Sequence, residues 1–170
     1  MIPLKTLTRE AIPRALEKAE RYRLINQPWN AESICHDILA TDPARQDARR
    51  LLLLACTDQF RRGTSGGGHA AERARDALGH LTSPYERAYY AGVISERLAR
   101  ARLEQQIPGA GFMAHELLSE AMERYEEAET LRPADNGDAI LRWNTCARMM
   151  NESPHVVPRP VEEREPVIGE

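Results

Sequence analysis

Three side-chain types that can perform chemistry stand in a row at Cys35-His36-Asp37. A thiol, an imidazole and a carboxylate could form a nucleophile, a base and a group that orients the base. Adjacent residues of a helix, however, point about 100° apart, so these three side chains cannot converge on one another. The stretch around them is apolar at helical spacing, which predicts Cys35 in a core and His36 towards solvent. The sequence therefore predicts no catalytic residues.

Two further patterns have the chemistry to bind an ion or a phosphate group. His115, Glu116 and Glu120 can share one side of a helix as metal ligands, but the five histidines show no spacing of three or four with one another or with the cysteines. The glycine-rich segment 63–68 follows no predicted strand and lacks the lysine of a nucleotide-binding loop. We therefore predict no metal and no cofactor, and we interpret residues 62–68 as a flexible loop.

Composition narrows the class of protein and of partner. Of the 170 residues, 42% are hydrophobic and 29% charged, which is ordinary for one globular domain. Residues 1–110 contain 17 Lys and Arg against 13 Asp and Glu, and residues 111–170 contain 6 against 13, so no segment is basic enough to make nucleic acid the main partner. The longest apolar run, Leu51–Cys56, is too short to cross a membrane, and the first residues lack a signal-peptide core. These features predict a cytoplasmic protein without membrane contact.

Apolar periodicity and an abundance of Ala, Leu, Glu and Arg predict an all-α chain of seven helices. Asn26–Pro28 is expected to end the first helix, Asn30 to cap the second, and Pro84 to close the fourth. We interpret residues 1–9 as an N-terminal extension, 10–150 as one helical repeat domain, and 151–170, rich in Pro and Glu, as a disordered tail. The predicted helices cover 10–26, 31–41, 46–61, a fourth after the glycine-rich segment, 85–103, 112–131 and 138–150.

One spacing of small and apolar residues occurs twice, ninety residues apart. Three apolar residues at intervals of four and three mark one helix face, and a proline five residues further on ends the helix. Both segments resemble the second helix of a tetratricopeptide repeat, and Ala19 and Tyr22 match that family's first helix. The repeated sets are Ala31, Cys35, Ile38 and Pro43, then Ala121, Tyr125, Ala128 and Pro133.

The resemblance implies a short right-handed superhelix of about three helical hairpins, with the seventh helix as a C-terminal cap. In this family the first helix of each hairpin lines a concave groove that binds a peptide. The residues that the resemblance places on this groove are Glu20, Arg23, Arg50, Asp58, Tyr89, Glu96, Arg97 and Arg142.

The function that follows from the sequence is a non-catalytic adaptor or scaffold that binds a protein or peptide partner. A dedicated small chaperone of the same repeat type is one alternative. A helical ligand-binding protein or enzyme is another, and it would use the few polar residues in apolar surroundings, which are Tyr90, Ser95, Asn144 and Thr145. Self-association into a homodimer is also compatible with the sequence.

Overall fold

The computed structural model describes residues 2–61 and 63–160, the segment 63–68 through its backbone alone. These residues form seven α-helices and no strand, which confirms the all-α fold class, and a 3₁₀ turn (Arg9–Ala11) precedes the first helix. None of the described helices is long and apolar enough to span a membrane. The helices are α1 (Ile12–Leu24), α2 (Pro28–Thr41), α3 (Gln46–Thr57), α4 (Gly63–Gly79), α5 (Pro84–Glu104), α6 (Ala110–Leu131) and α7 (Asp138–Glu152).

Helices end before two prolines as predicted, α1 at Leu24 and α4 at Gly79, and each proline also begins the next helix. Pro28 and Pro84 occupy the first turns of α2 and α5, where a missing N–H costs nothing and the fixed φ favours the helix. Ser83 is the N-cap of α5 and accepts a hydrogen bond from the backbone N–H of Glu86 at 3.3 Å. Ser83 and Glu86 have the spacing of a capping box, a signal that marks a helix start. Asn30 lies inside the first turn of α2 rather than at its cap.

The glycine-rich segment that is predicted as a loop belongs to α4, which begins at Gly63. Glycine inside a helix costs about 1 kcal/mol relative to alanine, which is why the composition indicates a loop. Further along the same helix, Ala70, Ala74 and Ala77 are fully buried. Their packing holds the part of α4 that follows the glycine-rich segment. Tertiary contact here overrides local propensity, and Arg62 lies outside the described residues.

The helices pack in chain order, each against its neighbours, and α3 lies at the centre of the first four. In addition, α1 contacts α3 and α3 contacts α5, so α1, α3 and α5 lie side by side. Two apolar clusters result, one from α1–α4 with Ile94 and Ala101 of α5, and one from α5–α7 with Val156, and Leu54 and Tyr90 pack against both. The burial that the repeated spacing predicts is confirmed at all six helical positions: Ala31, Cys35, Ile38, Ala121, Tyr125 and Ala128.

The segment after α7 packs onto the second apolar cluster. The predicted tail begins at residue 151, but α7 continues to Glu152 and Val156 is only 5% exposed. The chain passes so close to α6 that a Cβ at Gly111 would lie 2.0 Å from the carbonyl oxygen of His155. Glycine at position 111 is what allows this approach, and residues 161–170 of the predicted tail lie outside the described residues.

Glu32 on α2 joins three elements through its carboxylate. Arg73 Nε of α4 donates to Oε1 at 2.6 Å, and Gln59 Nε2 donates to Oε2 at 2.5 Å. The side chain is 12% exposed, and His36 Nε2 lies 3.8 Å from Oε1. Together His36, Gln59 and Arg73 lower the pKa of Glu32 from 4.5 to about 2, although burial acts in the opposite direction.

Glu32→Gln is expected to lower the free energy of unfolding by about 1–3 kcal/mol at pH 7. Because the folded pKa lies below the unfolded value, this carboxylate stabilises the fold above pH 4.5 and loses that effect as the pH falls from 4.5 towards 2. The difference in the free energy of unfolding between wild type and variant, measured by urea titration, should therefore be about 1–2 kcal/mol smaller at pH 3 than at pH 6. Glu127→Gln, at an exposed pair with Arg124, is the control. A difference that stays constant over this range would contradict the assignment.

Candidate functional site

An open cleft of about 390 Å³ lies where α1, α3 and α5 end side by side. Four of the side chains that line it are arginines and two are carboxylates. We call it the arginine cleft and define it by Arg23, Leu24, Asn26, Thr57, Asp58, Arg61, Arg97, Arg100 and Glu104.

Local sequence fixes where these side chains point. α1 ends at Leu24, and Asn26 adopts a left-handed φ of 58°, a conformation that asparagine tolerates better than most residues. The chain thus turns away directly after Arg23 and Leu24. On α5, Arg97, Arg100 and Glu104 are separated by three and four residues, so they lie on one face of the helix.

Asp58, directly after α3, joins α1, α3 and α5. Its Oδ2 accepts a hydrogen bond from Arg23 Nε at 2.7 Å, and its Oδ1 accepts one from Arg97 Nη1. Arg97 Nη1 also donates to Thr57 Oγ1 at 2.7 Å. The three charged side chains are only 17–24% exposed, so this ion-pair triad is better shielded than a typical surface pair. Three residues predicted on the groove are thereby brought into direct contact.

The rim of the arginine cleft carries a more exposed ion pair. Arg61 Nε lies 2.6 Å from Glu104 Oε2, with side-chain exposures of 72% and 43%. Asp58 already serves two arginines, and Arg100 contacts Glu96 outside the cleft. Because a guanidinium has five N–H donors, four arginines facing two carboxylates leave several donors directed at solvent. The cleft is therefore locally positive in a chain whose net charge is −3.

A second charged group is centred on Glu96, which is buried at 1% exposure. Its carboxylate accepts hydrogen bonds from the Tyr125 hydroxyl at 2.8 Å and from Arg142 Nη1 at 3.2 Å, and Arg100 Nη2 lies 3.2 Å away. The prediction that Glu96 lies on an exposed helix face is therefore wrong. It connects α5 with α6 and α7 and is not available to a partner.

Tyr89 and Arg142 stand beside this buried carboxylate. The Tyr89 ring packs against the rings of Tyr85, Tyr90 and Tyr125 at centroid distances of 5.1–5.9 Å. Burial acts to lower the pKa of Arg142, but the charge of Glu96 and the Tyr89 hydroxyl raise it further, so the guanidinium stays charged. Burial and the charge of Glu96 raise the pKa of Tyr125 far above its usual range, so its hydroxyl stays a donor.

The two remaining residues predicted on the groove, Arg50 and Glu20, lie apart from the arginine cleft and from the group around Glu96. Arg50 on α3 pairs with Glu86 on α5, with Nη1 and Oε1 2.8 Å apart, and both side chains are half-buried. Glu20 is exposed on α1 away from the cleft lining. The eight predicted residues thus occupy the cleft, the Glu96 group, one separate ion pair and one exposed position.

The residues that look chemically reactive in the sequence are inert or scattered. Cys35 is buried and His36 exposed, as the helical spacing predicts. Burial raises the pKa of the Cys35, Cys56 and Cys146 thiols to about 12, so all three remain protonated at neutral pH. Within the described part of the chain, no three His, Cys, Asp or Glu side chains converge as metal ligands.

Three charged residues of the cleft are not among the predicted groove residues. Arg100 and Glu104 continue the face of α5 that Arg97 begins, so their spacing is a usable signal. Arg61 follows the end of α3 in a turn, whereas the sequence predicts a helix that continues to residue 61. Its position depends on where α3 ends, which periodicity does not specify.

Comparison with known proteins adds no relative to this description. No family model matches the chain, and no characterised protein and no solved structure shows significant similarity to it. Conclusions about function therefore depend on the geometry of the described residues.

Proposed function

We propose that this protein is a non-catalytic adaptor that holds a peptide or partner subunit against α1, α3 and α5. In this proposal the hairpins α1–α2, α3–α4 and α5–α6 form a short right-handed superhelix of the tetratricopeptide type, with α7 as its cap. The observation that carries the proposal is the row of helices α1, α3 and α5, whose C-terminal ends line the arginine cleft.

Rigidity of this surface supports a binding role. Asp58 joins α1, α3 and α5, and the Arg50–Glu86 pair joins α3 and α5 a second time. A surface whose side chains are already held in place loses less conformational entropy when a partner binds. The cleft also offers an exposed apolar contact, since Leu24 is 82% exposed at its edge. Arginine is one of the residue types that are enriched at interface hot spots.

The protonated thiols agree with a role that is not catalytic. Covalent catalysis by cysteine needs a thiolate, which a pKa of about 12 makes rare at neutral pH. The polar residues that a ligand-binding enzyme would use, Tyr90, Ser95, Asn144 and Thr145, do not line the arginine cleft. The adaptor proposal uses instead the surface that the helix order creates.

Selection from a displayed library of random 12-residue peptides tests this proposal on the full chain. Enriched peptides are expected to bind at the cleft, so Leu24→Ser should weaken them about 5-fold or more through lost apolar contact. The neighbouring Ile25 is 55% exposed and lines a different surface, with Tyr22, so Ile25→Ser is the matched control and should change affinity less than about 2-fold.

Two results of this selection would contradict the adaptor proposal. One is a library from which no peptide is enriched. The other is a set of peptides whose affinity falls with Ile25→Ser and not with Leu24→Ser, because their binding site would then lie on the outer surface of α1.

A further inference from the structure

We propose that the arginine cleft recognises an internal acidic peptide segment through the carboxylates of its Asp and Glu side chains. This inference rests on the proposed function and names the chemistry of the partner. Its basis is the excess of guanidinium groups over carboxylates in one cleft.

The exposed rim pair is the first point at which a carboxylate can enter. Arg61 and Glu104 are 72% and 43% exposed, and an ion pair at such exposure contributes little to stability. An incoming carboxylate can therefore replace Glu104 as the partner of Arg61 at little cost. Glu104 competes with the peptide for the same guanidinium.

The floor of the cleft supplies fixed donors further in. Arg23 and Arg97 are held by one shared carboxylate, so each retains N–H groups that Asp58 does not accept. Their low exposure places them in a medium of lower dielectric than the rim, which strengthens attraction to an added negative charge. Because guanidinium groups lie both at the rim and on the floor, the cleft can bind several carboxylates of one segment.

Charge on the rest of the chain favours a peptide over nucleic acid. The net charge is −3, and α6 carries six glutamates. A long phosphate backbone would extend beyond the cleft over a chain of net negative charge, whereas a short acidic segment can be confined to the positive region. Nucleic acid is therefore the alternative that the test must be able to reveal.

The test uses acetyl-AEAEAEAE-amide and its counterpart acetyl-AQAQAQAQ-amide, whose blocked ends carry no charge. Titration calorimetry with the full chain is expected to show at least about 10-fold tighter binding of the glutamate peptide, decreasing as NaCl is raised from 50 to 300 mM. Arg61→Gln should weaken binding of the glutamate peptide about 2–5-fold. Glu104→Gln should tighten binding of this peptide about 2-fold, because a competing carboxylate is removed. A gain in affinity cannot result from partial unfolding.

Arg124→Gln and Glu127→Gln are the matched controls, since these residues form an exposed ion pair on α6 and do not line the cleft. Both should change affinity less than about 1.5-fold. Equal binding of the two peptides, or an effect of Arg124→Gln as large as that of Arg61→Gln, would overturn the inference. So would a deoxythymidine octamer that binds more tightly than the glutamate peptide and depends on Arg61.

Failure of this inference can be told apart from failure of the adaptor proposal. If the library yields peptides that depend on Leu24 but are not enriched in Asp and Glu, the adaptor proposal stands and the acidic partner is excluded. If no peptide is enriched and the glutamate peptide does not bind, both fail.

Discussion

Glu96→Ala is expected to lower the free energy of unfolding by about 3–5 kcal/mol, a large fraction of the total stability of a domain of this size. The carboxylate is buried and is the shared partner of Tyr125, Arg142 and Arg100. Its removal leaves the buried Tyr125 hydroxyl and the partly exposed Arg142 guanidinium without their acceptor. Urea unfolding of both proteins, followed by circular dichroism, measures the difference.

A comparison of variants separates the buried charge from simple loss of volume. Arg100→Gln removes a partner that is 44% exposed and should cost less than about 1 kcal/mol. The double variant Glu96→Leu/Arg142→Met replaces the pair by apolar side chains and should recover at least half of the loss seen for Glu96→Ala. A Glu96→Ala variant within about 1 kcal/mol of wild type would contradict the assigned network.

Gly92→Ala is expected to destabilise the protein by about 1–3 kcal/mol, although alanine is the better helix former. A Cβ at position 92 would lie 2.6 Å from Tyr125 Cε1 and 2.8 Å from Cδ1. The Tyr125 ring is 1% exposed and its hydroxyl is held by Glu96, so it has no space into which to move. Overpacking therefore outweighs the gain in helix propensity.

Gly79→Ala is the matched control for this prediction. Gly79 is exposed at the end of α4, and a Cβ there would meet no atom within 4 Å. Its substitution should leave stability unchanged within about 0.5 kcal/mol or increase it slightly. Thermal unfolding that places the two variants in the opposite order would show that α5 and α6 do not pack as closely as Gly92 indicates.

The helices and the buried alanine positions could be predicted from the sequence because both follow from local periodicity. Six residues at the repeated spacing are buried as predicted, and six of the seven helix locations are correct to within three or four residues at each end. The start of α4 could not be predicted, since glycine composition argues against a helix that tertiary packing nonetheless permits. Helices end before Pro28 and Pro84 as predicted, but the start of α2 at Pro28 is not predicted, because proline marks both the start and the end of helices.

The charged groups of the site are only partly predictable. The structure brings Arg23, Asp58 and Arg97 together, and their ion pairs depend on distances between helices that the sequence does not specify. Glu96 lies next to Arg97 in the sequence but is buried, because α6 packs against α5 and because Tyr125 of α6 and Arg142 of α7 bind its carboxylate. Helical periodicity describes one helix at a time, and the burial of this carboxylate is set by another helix.

The most direct measurement of the central claim is the response of arginine side chains to a bound peptide. In ¹⁵N–¹H spectra of the full chain, titration with a peptide selected from the library should shift the Nε–Hε signals of Arg23, Arg61 and Arg97 in a saturable way. The signal of Arg124, outside the cleft, should stay in place. Shifts confined to Arg14 and Arg21 on the outer surface of α1, or no shifts at all, would contradict a peptide-binding role for the arginine cleft.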